Sequence, residues 1–211
     1  MSVTVVEVKK VIEKMSNVII ENEVYFCELD SAAGDGDFGM SLSKGFREVL
    51  KSIDSIDTSS IDKFIRECSM IITEFCGGAS GPIWGSAFRA AANSIRDKTE
   101  LNLADIAGMF TAAVAGIQKR GGAQLGDKTL LDALIPAAEA LEKAAKENKT
   151  IDEAFIDAAK AAHEGAEKTK TFVAKKGRAS YLGERSINYP DAGATAIGII
   201  FTGIVQKLAD K

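Results

Sequence analysis

Hydrophobic positions along this chain recur at three- and four-residue intervals almost throughout, which predicts helices rather than strands. Val5, Val8, Ile12, Met15 and Ile19 mark one helix over 3–21, with Thr4 and Glu7 as a capping box. A short helix is expected over 40–53. The clearest one spans 60–75, where Ile61, Phe64, Ile65, Cys68, Ile71, Ile72 and Phe75 form one apolar face. The spacing resumes over 82–96, with Pro82 in the first turn. It continues through Leu103, Ile106, Phe110, Val114 and Ile117 behind Asn102 as N-cap, and then through Leu131, Leu134, Ala138, Leu141 and Ala145. Thr150 and Glu153 form another capping box, opening a helix through Phe155, Ala159, Ala162 and Ala166 to about Phe172. The last helix runs from about Gly193 to Leu208. The total is roughly eight helices in an all-α domain, with no strand alternation, no internal repeat and no linker dividing residues 1–211.

The interruptions carry the unusual chemistry. A plain bundle needs only short polar connections. Here the segment 28–46 (ELDSAAGDGDFGMSLSKGF), CGGASGP at 76–82, KRGGAQLGDKT at 119–129 and the polar stretch 173–192 combine glycine with Asp, Ser, Thr or Arg. Such loops indicate helix ends converging on one site, and helix N-termini favour anions.

Asp30, Asp35 and Asp37 fall within eight positions, with Gly34, Gly36 and Gly39 between or beside them. Three carboxylates so close repel one another, and two readings account for them. One is a solvated turn that caps the helix over 40–53. The other is an oxygen-ligand site for a hard cation such as Mg²⁺, shared with a phosphate. The remaining loops also have two readings. Gly77, Gly78, Ala79 and Ser80 are either helix caps or a phosphate cradle. Asp127, Lys128 and Thr129 either cap the next helix or touch a nucleotide or metal shell. Arg178 and Arg185 are either surface charge or a phosphate fork. Asp191 is either a turn residue after Pro190, a cap, or part of the pocket.

Several motifs fail on context. Gly34 to Gly39 fits G-x-G-x-x-G, but no strand precedes it. GGAQLGDKT approximates a phosphate-binding loop with Asp127 inserted before Lys128, again without a strand. Position twelve counted from Asp35 is Phe46, not the Glu of a calcium loop. The single histidine, His163, lies among alanines far from the loops, so no histidine base or Ser–His or Cys–His pair is expected.

Composition supports closely packed helices: 46% of residues are hydrophobic and only 7% aromatic. A net charge of −4 argues against nucleic acid or a membrane surface as the main partner. The longest apolar runs, near 104–117 and 192–205, are interrupted and do not read as membrane spans. The N-terminus lacks the order of a signal peptide. Cys27, Cys68 and Cys76 are odd in number and lack metal-site spacing, as expected of reduced thiols in a cytoplasmic protein.

Taken together, Asp30 through GDGDFG to Lys44-Gly45-Phe46, GGASGP, GDKTLLDAL, KGRASYLGERS at 176–186 and DAGAT at 191–195 resemble the nucleotide-binding L subunit, or L domain, of dihydroxyacetone kinases. The resemblance runs from end to end in the family's order. It implies a closed barrel of eight antiparallel amphipathic helices with the nucleotide at one end. It also implies two Mg²⁺ ions on Asp30, Asp35 and Asp37, with Phe38, Gly39, Met40, Ser41, Ala79 and Ser80 near the phosphates. Gly121, Thr129 and Leu130 would border the adenosine. Arg178, Asp191, Ala192 and Gly193 would complete the pocket. ADP or ATP is the implied cofactor. The implied activity is phosphoryl transfer to dihydroxyacetone held on a separate K subunit. A free-standing L chain implies the phosphotransferase-system form, in which an M subunit rephosphorylates retained ADP. Exchangeable ATP, a related ketose, a regulatory nucleotide-binding module and a homodimer stay open. The family has His, Asn and Arg where this chain has Phe38, Ser41 and Lys44, and Phe38 offers phosphate no hydrogen bond.

Overall fold

A computed structural model describes residues 2–209; residues 1, 210 and 211 of the expected domain range lie outside it. The expected helices are present: α1 Val5–Glu21, α3 Phe38–Ser52, α4 Ile61–Phe75, α5 Ser80–Ser94, α6 Leu103–Gly121, α7 Leu131–Lys146, α8 Ile151–Lys168 and α9 Ala192–Ala209. Between the first two lies a short helix that the hydrophobic pattern does not give, α2 Glu23–Ser31. The described residues therefore hold nine α-helices where eight were expected. The reason is that α2 buries only Phe26 and leaves Val24 and Tyr25 exposed, so it shows no apolar face.

Local chemistry sets the boundaries. Thr4 and Thr150 form the expected capping boxes with Glu7 and Glu153. Asn102 caps α6 and gains a reciprocal partner in Asp105. Helix α5 starts two residues before the expected 82, placing Pro82 in its first turn, where a missing N–H costs nothing. Helix α8 stops at Lys168 and passes through a 3-10 turn at Thr169–Thr171. A further 3-10 segment, Arg178–Ser186, occupies the stretch expected to be loop. The strands β1 Val3–Thr4 and β2 Glu100–Leu101 are two residues each and pair antiparallel.

The helices close into a ring. Each of α3 to α8 packs on its successor, α9 packs back on α1, and α1 packs on α3, while α2 lies outside against α3. Phe46 sits edge-on to Trp84 and Phe88, at centroid distances of 6.0 and 6.1 Å. Phe110, Phe155 and Phe201 join α6, α8 and α9 inside the ring at 5.3 to 6.1 Å. An apolar cavity of about 350 Å³ remains among them, lined also by Met15, Trp84 and Ile197. By length and composition α9 could cross a membrane, but half of it is buried, wedged between α8 and α1. Such a buried apolar helix is what a barrel wall requires. Cys68 and Cys76 are buried, and none of the three cysteines is paired.

Candidate functional site: an acidic mouth at one end of the barrel

Asp30 is not in a loop. It occupies the last turn of α2, which projects its carboxylate across the turn 32–37. There Oδ2 accepts the amides of Asp37 at 3.1 Å and Phe38 at 3.3 Å, at the start of α3. Asp30 therefore caps the start of α3 while standing beside two further carboxylates. One oxygen from each of Asp30, Asp35 and Asp37 lies within 4.8 Å of the others. Two glycines make this approach feasible. A side chain at Gly34 would overlap the Asp30 carboxylate, and Gly36 turns the chain with a left-handed φ of 76°. A third, Gly39, lets α3 touch the α2 backbone at Glu23 and Cys27.

Burial pushes the Asp30 carboxyl upward. The Phe38 amide opposes this, and the Asp35 charge adds to it. Among the described residues, the one cation in a salt bridge with the trio is Arg178, whose guanidinium meets Asp35 at 3.0 Å. Crowded, oxygen-only ligands with one partly offsetting cation fit a hard divalent ion such as Mg²⁺ and give no soft-metal character.

The glycine loop before α5 comes to the same place. The Gly77 amide donates to the Ser41 carbonyl at 3.1 Å, and a side chain at Gly77 would meet the Ser41 hydroxyl. The N-termini of α3 and α5 thus converge, concentrating positive dipole ends beside the carboxylates. Their donors differ. In α3, the amides of Asp37 and Phe38 go to Asp30, Met40 goes to Cys27 Sγ at 3.3 Å, and Ser41 goes to the Asp37 carbonyl. Before α5, the amides of Gly78 and Ala79 carry no backbone hydrogen bond among the described residues. Phe38 itself packs on Phe26 at 6.1 Å.

The other candidates stand at separate points on the rim. Gly121 ends α6 close to Ile83 of α5. Leu130 packs against the site of Gly193 at the start of α9. Thr129 donates its amide to Asp132 and accepts from Leu131. Asp191 caps α9 by accepting the Ala194 amide at 2.7 Å. Burial pushes its carboxyl up to about 7; that amide opposes the rise, the Asp132 and Asp30 charges add to it, and the Lys128 ammonium opposes it. Ala192 is buried beside it.

Lys128 was open to contact with a nucleotide or metal shell, and its geometry is otherwise. Its ammonium is buried and donates to the carbonyls of Thr169, Phe172 and Tyr189. Asp127 does not cap α7 either; its carboxylate accepts the Gln124 amide and pairs with Lys175. Arg185 meets no carboxylate in a salt bridge among the described residues. His163 lies on α8, bonded to Thr202 of α9. None of Asp30, Asp35 or Asp37 lines the apolar cavity, so acidic mouth and apolar interior are distinct compartments.

Fold and site together define a helical barrel with an acidic, helix-N-terminus-lined mouth suited to a phosphate-bearing ligand and a hard cation. A family profile described as the DAK2 domain matches residues 32–206, and the chain belongs to that family. It is 40% identical over 200 residues to the Listeria innocua PEP-dependent dihydroxyacetone kinase 2, ADP-binding subunit DhaL, covering 94% of this chain and 92% of that one. The corresponding Escherichia coli subunit is 33% identical, with 93% and 94% covered. The L-erythrulose 1-kinase of Mycolicibacterium smegmatis is 32% identical over 94% of this chain but only 35% of its own length. In fold, the chain is similar to the dihydroxyacetone kinase of C. freundii in complex with AMP-PNP and Mg²⁺, with a TM-score of 0.75 and 24% identity, over 94% of this chain and 33% of that one.

Proposed function

We propose that this chain, as one domain over 1–211, is the nucleotide-holding L subunit of a dihydroxyacetone kinase. In this reading it binds ADP or ATP with two Mg²⁺ ions in the cytoplasm. It passes a phosphoryl group to dihydroxyacetone held on a separate K subunit, and an M subunit linked to the phosphotransferase system restores the bound nucleotide. The observation that carries the reading is the junction of Asp30, Asp35 and Asp37 with the converging starts of α3 and α5. The near full-length likeness to ADP-binding subunits supports it.

The roles follow from chemistry and position. Asp30, Asp35 and Asp37 hold the cations, which when bound offset phosphate charge. The start of α3, from Phe38 through Gly39 and Met40 to Ser41, faces the phosphates mainly through its dipole and the Ser41 hydroxyl, because most of its amides are already engaged. The loop reaching Ala79 and Ser80 supplies amide donors. Gly121, Thr129 and Leu130 border the adenosine. Arg178 and the turn Asp191, Ala192, Gly193 close the pocket. The single histidine, on α8, is bonded to Thr202.

The test is reconstitution with K and M subunits, with phosphoenolpyruvate or ATP as donor. Phosphoenolpyruvate-dependent turnover with ADP below stoichiometric amounts is expected. Transfer from ATP alone would overturn retained ADP, and a chain that binds no nucleotide would overturn the whole reading. The likeness to an erythrulose kinase favours a second reading of the acceptor, decided by comparing dihydroxyacetone with L-erythrulose in the same assay.

A further inference from the structure

The segment between α8 and α9 carries Arg178 to the aspartates, yet it contributes little to the core: Ala174 and Ser186 are its buried residues between 173 and 189. What fixes it is polar. Lys128 Nζ donates to Thr169 O at 2.7 Å and Phe172 O at 3.2 Å, where the segment begins. It also donates to Tyr189 O at 2.7 Å, where the segment ends. One ammonium therefore fastens both feet of the loop to the turn before α7. Flanking bonds reinforce the clasp. The Asn188 amide donates to Lys170 O, the Asp191 amide donates to the Thr169 hydroxyl, and the Lys175 amide donates to Asp127 O. Three residues beyond Lys175, Arg178 meets Asp35.

This clasp carries a cost in free energy. Lys128 is 2% exposed, and its three hydrogen bonds all go to neutral carbonyls. Burying an ammonium costs several kcal/mol that hydrogen bonds only partly return. Its backbone is also left-handed, at φ 63°, which is unfavourable for a side chain of this size. Asp191 and Asp132 are the carboxylates near enough to act on it, and neither hydrogen-bonds to it. A surface loop of no consequence needs none of this.

We propose that Lys128 is a positioning residue that closes the base of the 173–189 loop, so that Arg178 is held over Asp35 at the mouth of the barrel. The proposal rests on the nucleotide reading for its consequence, but its structural half stands independently. The three bonds of the Lys128 ammonium all go to backbone carbonyls, so it acts through the loop and Arg178.

The experiment is a double-mutant cycle on the full chain. Mg–ADP affinity is measured by calorimetry, and amide hydrogen exchange is followed over 173–190. Lys128→Met keeps the aliphatic stem and removes the donors. It is expected to weaken Mg–ADP binding about tenfold, as loss of an orienting partner does, and to speed exchange in 173–190 while α4 and α7 stay protected. Arg178→Ala is expected to weaken binding by a similar factor, and the double variant by about tenfold rather than a hundredfold, because both changes remove one interaction. Lys128→Arg keeps the charge, but a planar fork cannot point three donors from one atom; it is expected to restore part of the loss. It also serves in the cycle should Lys128→Met not fold.

Additive losses would overturn the positioning role, since Lys128 would then act independently of Arg178. Unchanged exchange over 173–190 would overturn the clasp. Absence of Mg–ADP binding in the wild type would remove the nucleotide reading, while the comparison of exchange between wild type and Lys128→Met would still decide the clasp.

Discussion

Replacing Asp37 by Asn has opposite consequences for stability and for ligand binding, and that opposition is the sharpest signature of a cation site. Asp37 lies within 4.8 Å of both Asp30 and Asp35 through one oxygen of each. Two unit charges at that distance repel by about 0.9 kcal/mol in water and by about 3.5 kcal/mol at an effective dielectric of 20. Asp35 and Asp37 are solvent-accessible, so the lower figure applies and salt reduces it further. Asp37→Asn removes two such repulsions, roughly 1–2 kcal/mol. Against this stands about 0.5 kcal/mol for losing a negative charge at the start of α3. Asp37 makes no side-chain capping bond, so no further loss is due. The net gain of about 1 kcal/mol corresponds to a rise in Tm of about 2–4 °C for a chain of this size. With Mg–ADP at a hundred times its Kd, the wild type gains about 2.7 kcal/mol, and the variant loses most of it. Differential scanning calorimetry in EDTA and in saturating Mg–ADP should therefore show the two proteins exchanging rank. A variant that keeps the full Mg–ADP shift would remove Asp37 from the cation site. A variant less stable in EDTA would show that the carboxylates are not mutually strained.

Other expectations probe the supports of the site. Gly34→Ala places a methyl group on the Asp30 carboxylate and should weaken Mg–nucleotide binding at least tenfold, with the far-ultraviolet circular dichroism unchanged. Phe46→Ala empties a fully buried position between Trp84 and Phe88 and should cost about 3–5 kcal/mol, read from the denaturant midpoint. Asp191 gives a pH dependence: its folded pKa of about 7 lies above the usual carboxylate range, so the folded chain holds a proton that the unfolded chain releases. Stability of the ligand-free protein should fall as pH rises from about 4 to about 7. Asp191→Asn keeps an acceptor for the Ala194 amide, and should flatten that slope and exceed the wild type above pH 7 by about 1–3 kcal/mol. Equal slopes in urea titrations across this range would refute the assignment.

The barrel wall was legible because each wall helix repeats its apolar residues with the helical period, and because Thr4, Asn102 and Thr150 announce their caps. Helix α2 was not, since its single buried residue, Phe26, cannot display a period. That omission misplaced Asp30, which belongs to a helix end rather than a loop. The aspartates, glycines and Arg178 stand out because charge and backbone freedom are written in residue type. Lys128 is different. Its partners are backbone carbonyls 41, 44 and 61 residues away, and no residue type marks a carbonyl. Packing of α7 on α8 and α9 supplies that information. Only when α7 lies against both α8 and α9 do the turn before α7 and the two feet of the last loop meet.

The most direct measurement is calorimetric titration of the purified chain, freed of any bound nucleotide, with ADP in the presence of Mg²⁺ and in the presence of EDTA. The account requires one nucleotide per chain with Mg²⁺, and affinity at least tenfold weaker in EDTA or in Asp35→Ala. Equal affinity in all three conditions would contradict it, because the acidic mouth would then not be where cation and phosphate meet.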